Sequence, residues 1–484
     1  MKRKGLLFLS LAAALAAVML FAGCGKKDET AGPQLLEALN KNFLGIRYEV
    51  DSDNISAEKS GGGFNVVFKD ATVIMDTGIF KETSLGENIK SEKVPVKMDA
   101  ITFFYKPKEK HLECTSVKGM HLNWDLAELV KIPQDSLKTE VPEMDFDFRA
   151  GAMEFTNYDI SPIISYEGDN FWEFAKLLLE KNQSVESAMK DFAYRVNMSD
   201  IGEDGGKLDM DISIAEMTID QKSMSGFFVN LYKKDAEIPD MNELLKNGDP
   251  LFDVSSSMKD LKFSYDMVEE GEKKKGSGSL ADASMSYYLK PNEDKTHFDM
   301  AFDYDLGRIS MDVPGKDSEE ALQIIEGIKS MNMNFALRHL SPQLVKSYME
   351  MTRNSMAMQN DPEKMKEMAS GTGQQLLGQL MQSQPVLQLG ITPLVHEMGK
   401  MDLSAEFSMP QAMVPDGKAV LRIYNLNEVL ASIKDMKGFS EEDFKAFSQW
   451  ANMMLQVDED GNGVLTFEMK KEEPGVRYLN GMRM

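Results

Sequence analysis

The chain has 484 residues and a formal net charge of −24, with 54 Lys and Arg against 78 Asp and Glu. Binding of nucleic acid is disfavoured, because it depends on clustered basic side chains and the sequence contains no basic stripe with interleaved aromatics. The same acidity disfavours a folded body that lies flat on an anionic leaflet, where basic residues supply the attraction.

The first 24 residues have the pattern of an export signal that ends at a cysteine. Lys2, Arg3 and Lys4 form a basic start, residues 5–22 carry no charge, and small residues directly precede Cys24. This ending resembles the bacterial lipobox, after which the cysteine becomes the first residue and carries acyl chains. We therefore predict a lipoprotein signal peptide over residues 1–23 and lipidation of Cys24. The alternative is an uncleaved anchor, because roughly 18 apolar residues are near the lower limit for a membrane span.

Both interpretations leave residues 25–484 outside the cytoplasmic membrane. Gly25 stands where an aspartate retains many lipoproteins at the inner membrane, so we expect anchoring in the outer membrane, facing the periplasm. Several acyl chains hold a protein stably, since each buried methylene contributes about 0.8 kcal/mol. Once Cys24 is acylated, only Cys114 remains, so no internal disulfide forms.

Residues 24–33 are polar, contain glycine and proline, and predict a flexible tether. A short amphipathic helix is predicted over 33–43. After it, segments of alternating apolar and polar residues recur, and each predicts a strand with one buried face. Eight of these segments lie at 66–75, 96–105, 117–124, 146–158, 212–219, 258–267, 280–289 and 304–311, and a ninth lies at 398–407.

The gaps between these segments are mostly too short for the crossover helices that parallel strands need. Hairpin turns are predicted at 60–63, 203–206, 272–278 and 291–294. Near 210–219 the alternation breaks at a bulge-like step. One helical insert is predicted from Asn170, because apolar residues from Phe171 to Phe192 fall near helical spacing, with an interruption around Asn182-Gln183-Ser184. Residues 34–316 are thus predicted to form an antiparallel β-rich region with one helical insert.

From Asp317 the apolar period changes from two to about three and a half, which predicts helices. Ser341-Pro342 and Asp361-Pro362 each offer an N-cap oxygen followed by a proline suited to the first turn. The further elements predicted here are a helix over 440–455 and strands over 386–407, 463–469 and 476–482. The predicted fold class is therefore α+β and β-dominated: a long twisted antiparallel meander, with a helix-rich segment in 317–484 before the C-terminal strands. We expect the two regions to form one elongated unit.

The chain ends in Gly475-Val476-Arg477-Tyr478-Leu479-Asn480-Gly481, where a glycine turn leads into a strand. This ending resembles the YdgA-like family of exported bacterial proteins of unknown function, as do the exported start, the repeated strand pairs, the Met- and Gln-rich middle and the strand after Gln384-Pro385. The resemblance extends over most of residues 34–484. It implies no catalytic residues, because none is established for that family. This chain departs from the family by carrying a lipobox in place of an uncleaved anchor.

One segment resembles a calcium-binding loop. Asp458, Asp460 and Asn462 stand at positions one, three and five of an EF-hand-like pattern, with Gly463 at position six and a helix before the loop. The pattern breaks at position twelve, where Met469 replaces the bidentate carboxylate that an EF-hand needs. Residues 464–469 are also typical of a strand. The sequence favours a glycine-containing hairpin or turn, with calcium binding at these three residues as the alternative.

Other metal and catalytic patterns are weak. The 37 methionines are spread over several predicted helices, which favours packing, or a pliable apolar groove, over copper binding. His111, Cys114 and His121 form the sole local grouping with metal-ligand chemistry, and it needs a bulge to converge. Acidic residues are too numerous to single out a catalytic pair. We therefore expect no cofactor and no enzymatic activity.

Two functions from different classes are left. In the first, a lipid-anchored protein binds or shields an apolar ligand or partner along a curved sheet, such as an acyl chain or a nascent envelope protein. In the second, it is a structural or assembly component that contacts other envelope proteins. The membrane, through the N-terminal acyl chains, is the partner expected in both cases.

Overall fold

The computed structural model describes residues 30–41, 45–77, 93–125, 144–168, 171–201, 206–223, 238–269, 272–312, 325, 327–357, 376, 378–408, 415–434, 440–473 and 475–484. Twenty strands lie in these residues, so the predicted β-dominated, antiparallel fold is confirmed. Among the described helices, none combines the length and the apolar character that crossing a membrane requires. The predicted signal peptide and Cys24 lie outside the described residues.

The chain divides into two compact units. Unit 1 comprises Met1–Ala236 and Phe263–Lys275, and unit 2 comprises Glu237–Lys262 and Gly276–Met484. The division passes through strands β9 (Phe252–Glu269) and β10 (Glu272–Pro291). It therefore differs from the predicted boundary at residue 317.

Unit 1 is a meander covered by short helices. Its helices are α1 (Ala31–Lys41), α2 (Pro162–Ser165) and α3 (Phe171–Lys181). Its strands are β1 (Ile46–Glu49), β2 (Ile55–Ser60), β3 (Gly63–Asp76), β4 (Lys93–Lys106), β5 (His111–Asp125), β6 (Met144–Asp159), β7 (Ser184–Ile201) and β8 (Gly206–Lys222). Strands β1 and β2 both pair with β3, and β3 to β8 then pair in chain order.

The apolar side of unit 1 is closed by its own helices. Phe103 is fully buried, and its ring centroid lies 5.2 Å from that of Phe68 and 6.2 Å from that of Tyr48. Leu35 of α1 and Phe174 of α3 belong to the same buried cluster. The helices of unit 1 therefore cover the apolar face of the sheet and form a buried hydrophobic core with it.

A line of residues that we call the crease crosses this sheet at right angles to the strands. It consists of Asp70, Asp99, Gly119, Gly151 and Asp191, which the register places opposite one another on β3 to β7. Three of them have positive φ: 47° at Asp70, 61° at Gly119 and 52° at Asp191. At the crease two successive residues face outward, so the buried positions change from even to odd numbers in β3 and β4.

The crease explains one wrong prediction. The predicted helical insert ends at Lys181, and residues 184–201 form strand β7. Val185, Met189 and Phe192 have the spacing of a helix face only because Asp191 shifts the inward positions by one residue within the strand. The bulge-like step predicted in β8 lies on the same line, since Asp191 is opposite Ala215 in the register.

Unit 2 is also built of antiparallel strands, with helices at the strand ends. Its helices are α4 (Met241–Asn247), α5 (Pro342–Ala357), α6 (Leu426–Lys434) and α7 (Glu441–Met454). Its further strands are β11 (Phe298–Leu306), β12 (Ile309–Asp312), β13 (Ile328–Leu340), β14 (Val386–His396), β15 (Gly399–Ser408), β16 (Asp416–Ile423), β17 (Gln456–Val457), β18 (Gly463–Met469), β19 (Arg477–Leu479) and β20 (Met482–Arg483). The pairing order is β10, β11, β13, β14, β15, β16, β18, β19 and β20.

The predicted starts of two helices are confirmed in this unit. The Leu344 N–H donates to Ser341 Oγ at 3.2 Å, where α5 begins, and the Asp443 N–H donates to Ser440 Oγ at 3.0 Å, where α7 begins. The helix predicted at Asp361 lies outside the described residues. The helix-rich character of 317–484 is not confirmed, because strands β13 to β20 all lie there.

Two further details differ from the sequence prediction. Residues 272–278, predicted as a turn, belong to β10, where Ser277 pairs with Asp312 and Gly278 with Met311. A run of lysines followed by small polar residues is typical of a turn, but here pairing with β12 overrides that local preference. The strand predicted over 304–311 is two strands, β11 and β12, which are separated by Gly307 and Arg308.

Candidate binding face of unit 2

The two faces of the unit 2 sheet differ in chemistry. Side chains alternate between the faces along each strand, and directly paired residues share a face. One face carries polar and charged residues, among them Asp303, Glu406, Lys418 and Glu468. The opposite face is mostly apolar across eight neighbouring strands, from β10 to β19, and it is the candidate site.

Three cross-strand rows, taken from the register, form this face, which we call the unit 2 apolar face. The first row is Met285, Tyr304, Met333, Ile391, Leu403, Leu421 and Leu465. The second is Tyr287, Phe302, Phe335, Leu389, Ala405, Ala419, Phe467 and Leu479. The third is Leu289, Met300, Leu337, Leu387, Phe407, Gly417, Met469 and Arg477.

Most of this face is incompletely covered. Of the three rows only Leu289 is buried, whereas Leu389, in the middle of the second row, is 41% exposed. In unit 1 the corresponding inward residues, such as Val73 and Val96, are at most 1% exposed. Because monomeric proteins rarely expose contiguous apolar patches, the contrast makes the unit 2 apolar face the candidate binding site.

Helices cover the two ends of the strands. At one end, Phe298 and Leu340 are buried where α5 begins, and so is Met349 on α5. At the other end, Ile423 packs in one buried cluster with Leu426 of α6 and Ala451 of α7. The half-exposed rows therefore lie between two covered ends, as in a trough.

The floor of the trough changes along the second row. Large rings stand on β10 to β13, where the Phe302 centroid lies 6.1 Å from that of Tyr287 and 6.4 Å from that of Phe335. Small side chains follow on β15 and β16, at Ala405 and Ala419. Between Leu389 and Phe467 the row therefore carries only two methyl groups, and we call this stretch the depression.

Phe407 borders this depression and depends on a neighbouring glycine. A Cβ added to Gly417 would clash with the backbone carbonyl of Glu406 and would lie 2.7 Å from both Cα and Cδ1 of Phe407, so the neighbouring strand and the ring leave no room for a side chain there. The Phe407 centroid lies 6.5 Å from that of Phe467. The aromatic wall of the depression therefore requires the absence of a side chain at residue 417.

The chemistry of the unit 2 apolar face favours binding by burial. Tyr287 and Tyr304 supply the hydroxyl groups in the three rows, and burial raises the pKa of Tyr287. Arg477 is the one charged residue of these rows. Such a surface excludes water from apolar groups, which contributes roughly 25 cal/mol per Å² of apolar area removed from water.

The predicted loop at Asp458 is a hairpin turn between β17 and β18. The N–H groups of Asp460 and Asn462 donate to Asp458 Oδ1 at 3.0 and 2.9 Å, and the Asn462 side-chain amide donates to Asp458 Oδ2 at 3.1 Å. The Asn462 Oδ1 accepts from the Asn425 N–H at 3.1 Å. The hydrogen bonds from Asn462 and Asp460 lower the pKa of Asp458. Calcium binding by Asp458, Asp460 and Asn462 stays a prediction, and these bonds weigh against it.

Titration of the protein with calcium up to millimolar concentration is therefore expected to release no heat. The carboxylate oxygens of Asp458 and the side-chain oxygen of Asn462 already accept hydrogen bonds, which compete with their use as calcium ligands. Calorimetry tests this, with an Asp458→Ala variant as the reference for the same titration. Heat that is present in the wild type and lost in the variant would restore the calcium assignment. We further expect Asp458→Ala to lower the melting temperature of unit 2 more than Asp458→Asn, which retains one acceptor oxygen.

The three residues of the weak metal grouping have separate environments. His111 Nε2 lies 2.7 Å from Glu113 Oε1, and His121 Nε2 lies 3.0 Å from Asp147 Oδ2. Cys114 is a buried free cysteine, and burial raises its pKa. Within the described residues, no group of three or more His, Cys, Asp and Glu side chains is placed to hold a metal ion.

Ala405, Ala419 and Arg477 were not predicted as site residues. Ala405 and Arg477 lie in the predicted strands 398–407 and 476–482, so alternation in those segments could have indicated them, whereas no strand was predicted around Ala419. No family model, curated protein or solved structure matches this chain.

Proposed function

We propose that this protein is a lipid-anchored component of the bacterial envelope that binds an apolar ligand, without catalysis, on the unit 2 apolar face. The observation that carries the proposal is the half-exposed apolar surface, with Leu389 41% exposed, between helix-covered strand ends. Unit 1 supports it by contrast, since there the same type of sheet has a large cluster of buried residues on its apolar side.

The proposal retains three predictions from the sequence. Acylation of Cys24 anchors the chain in the outer membrane facing the periplasm, which keeps the apolar face near a source of acyl chains. The chain is similar to the YdgA-like family. The sheet of unit 2 is twisted and curved, as wide antiparallel sheets are, so that its apolar side forms a shallow concave surface.

Photocrosslinking in intact cells tests the proposal. A fatty acid carrying a diazirine is fed to cells that make the full chain, and crosslinked peptides are mapped by mass spectrometry. We expect crosslinks in peptides from β14, β15 and β16. An Ala405→Glu variant is expected to reduce their yield at least tenfold, because a carboxylate on the floor of the depression must be desolvated when the ligand binds.

The matched control is Ser404→Glu, which places the same side chain one residue away, on the polar face. We expect its crosslinking to equal that of the wild type. Crosslinks spread evenly over both units, or an Ala405→Glu variant that labels as well as Ser404→Glu, would refute binding at this face.

The second candidate function is assembly through protein contacts. Four exposed apolar residues favour it: Met453 is 77% exposed, Val457 63%, Met482 65% and Met484 64%. All four lie near the C-terminal end of unit 2. Crosslinking of neighbouring proteins in intact cells tests this candidate, and recovery of the monomer alone would count against it.

A further inference from the structure

Arg477 differs from every other residue of the unit 2 apolar face. It pairs with Met469 in the third row, so its side chain stands on the apolar side of β19, and it is exposed. In the part of the chain that the structure describes, no ion pair involves its guanidinium. A cation at the end of an apolar surface is therefore available to an anionic group that binds beside it.

The neighbouring basic side chains lie on the polar face. Lys418 and Lys470 both pair with Glu468, at 3.0 and 3.9 Å, on the polar face. Arg483 pairs with Tyr478 in the register and also stands on the polar face. Among the described residues that form the three rows, Arg477 is thus the one positive side chain.

The register gives the path from this cation into the trough. From Arg477 on β19, the apolar face continues over Phe467 on β18, Ala419 on β16 and Ala405 on β15 to Leu389 on β14. Four strand spacings of about 4.8 Å make this path about 19 Å long. The two alanines make its middle lower than its sides, which suits a narrow, extended chain.

We propose that the occupant is a single-chain amphiphile with an anionic end, such as a fatty acid, whose carboxylate binds Arg477 and whose chain lies across Ala419 and Ala405. This inference rests on the proposed function and specifies its ligand. The net charge of −24 repels anions from most of the surface, so the one cation beside the apolar path decides where the carboxylate binds.

The test compares two photoactivatable probes of equal chain length, a fatty acid and the corresponding fatty alcohol, on the full chain in native membranes. The acid is expected to label β14 to β16 about two- to fivefold more than the alcohol, the range of a solvent-exposed ion pair. Arg477→Gln is expected to lower labelling by the acid to the level of the alcohol. Arg477→Lys should retain part of the preference, since a point charge replaces a two-pronged donor.

Arg483→Gln is the matched control, because it removes the same charge six residues away on the opposite face, and we expect no change. Equal labelling by acid and alcohol in the wild type and in Arg477→Gln would overturn the role of Arg477 and leave apolar binding intact. No labelling by either probe would instead refute the proposed function itself. A Leu389→Cys variant that forms disulfide-linked dimers in cells would assign the face to a second copy and overturn the amphiphile.

Discussion

Replacing Phe103 by alanine is expected to lower the free energy of unfolding of unit 1 by about 3–5 kcal/mol. The side chain is fully buried between Phe68 and Tyr48, so its removal leaves a cavity that rigid neighbouring strands do not fill. Denaturant titration of the full chain, followed by a signal specific to unit 1, measures the change.

Cys114 supplies that signal. Its thiol is buried in the same cluster, and burial raises its pKa, so alkylating reagents reach it only when unit 1 opens. With Cys24 acylated, it is also the sole thiol of the mature chain. The denaturant concentration at which Cys114 becomes reactive therefore reports the stability of unit 1.

The control is Phe335→Ala, on the half-exposed unit 2 apolar face. We expect it to leave the reactivity of Cys114 unchanged and to cost unit 2 about 1–2 kcal/mol, because less area leaves water when this ring is only partly covered. Equal losses from both substitutions would contradict the distinction between a closed unit 1 and an open unit 2.

Replacing Gly119 by alanine is expected to destabilise unit 1 by more than the roughly 1–2 kcal/mol that a left-handed backbone conformation costs an L-residue. Gly119 has φ of 61°, and an added Cβ would also meet the carboxylate of Asp99 on the neighbouring strand. The accessibility of Cys114 in denaturant again measures the effect.

Gly62→Ala separates the two causes. This turn glycine has φ of 83° and open space around an added Cβ, so it is expected to show the conformational cost alone. Removing the Asp99 carboxylate in an Asp99→Ala, Gly119→Ala double variant should recover the additional loss. If Gly119→Ala lowers the free energy of unfolding no more than Gly62→Ala does, the contact with Asp99 does not contribute to the loss.

Alternation in the sequence predicted most strands well, because each has one inward and one outward side. It failed where the crease changes the inward positions, as at Val185, Met189 and Phe192, whose spacing then fits a helix. It failed again at 272–278, where a lysine run typical of a turn forms part of a long strand. Both errors arise from pairing partners that are distant in sequence.

The candidate site was predicted in part. Period-two patterns indicated an apolar sheet face, and they place Leu389 and Ala405 on it. They do not indicate whether a helix covers that face, since α3 of unit 1 and α7 of unit 2 have similar apolar patterns. The position of Arg477 on the apolar face follows from its pairing with Met469, and no local pattern in the sequence indicates that pairing.

The line through Asp70, Gly119 and Asp191 divides each strand into two halves with opposite side-chain frames. Deleting one residue within one half would exchange the inward and outward positions of that half alone, so that its charged side chains would point into the core. A deletion at the crease itself would remove the change between inward and outward positions. In the half of the strand beyond it, the apolar side chains would then point to solvent. We therefore expect unit 1 to accept changes of length in its loops, whereas one residue more or fewer in the middle of a strand from β3 to β7 should destabilise it.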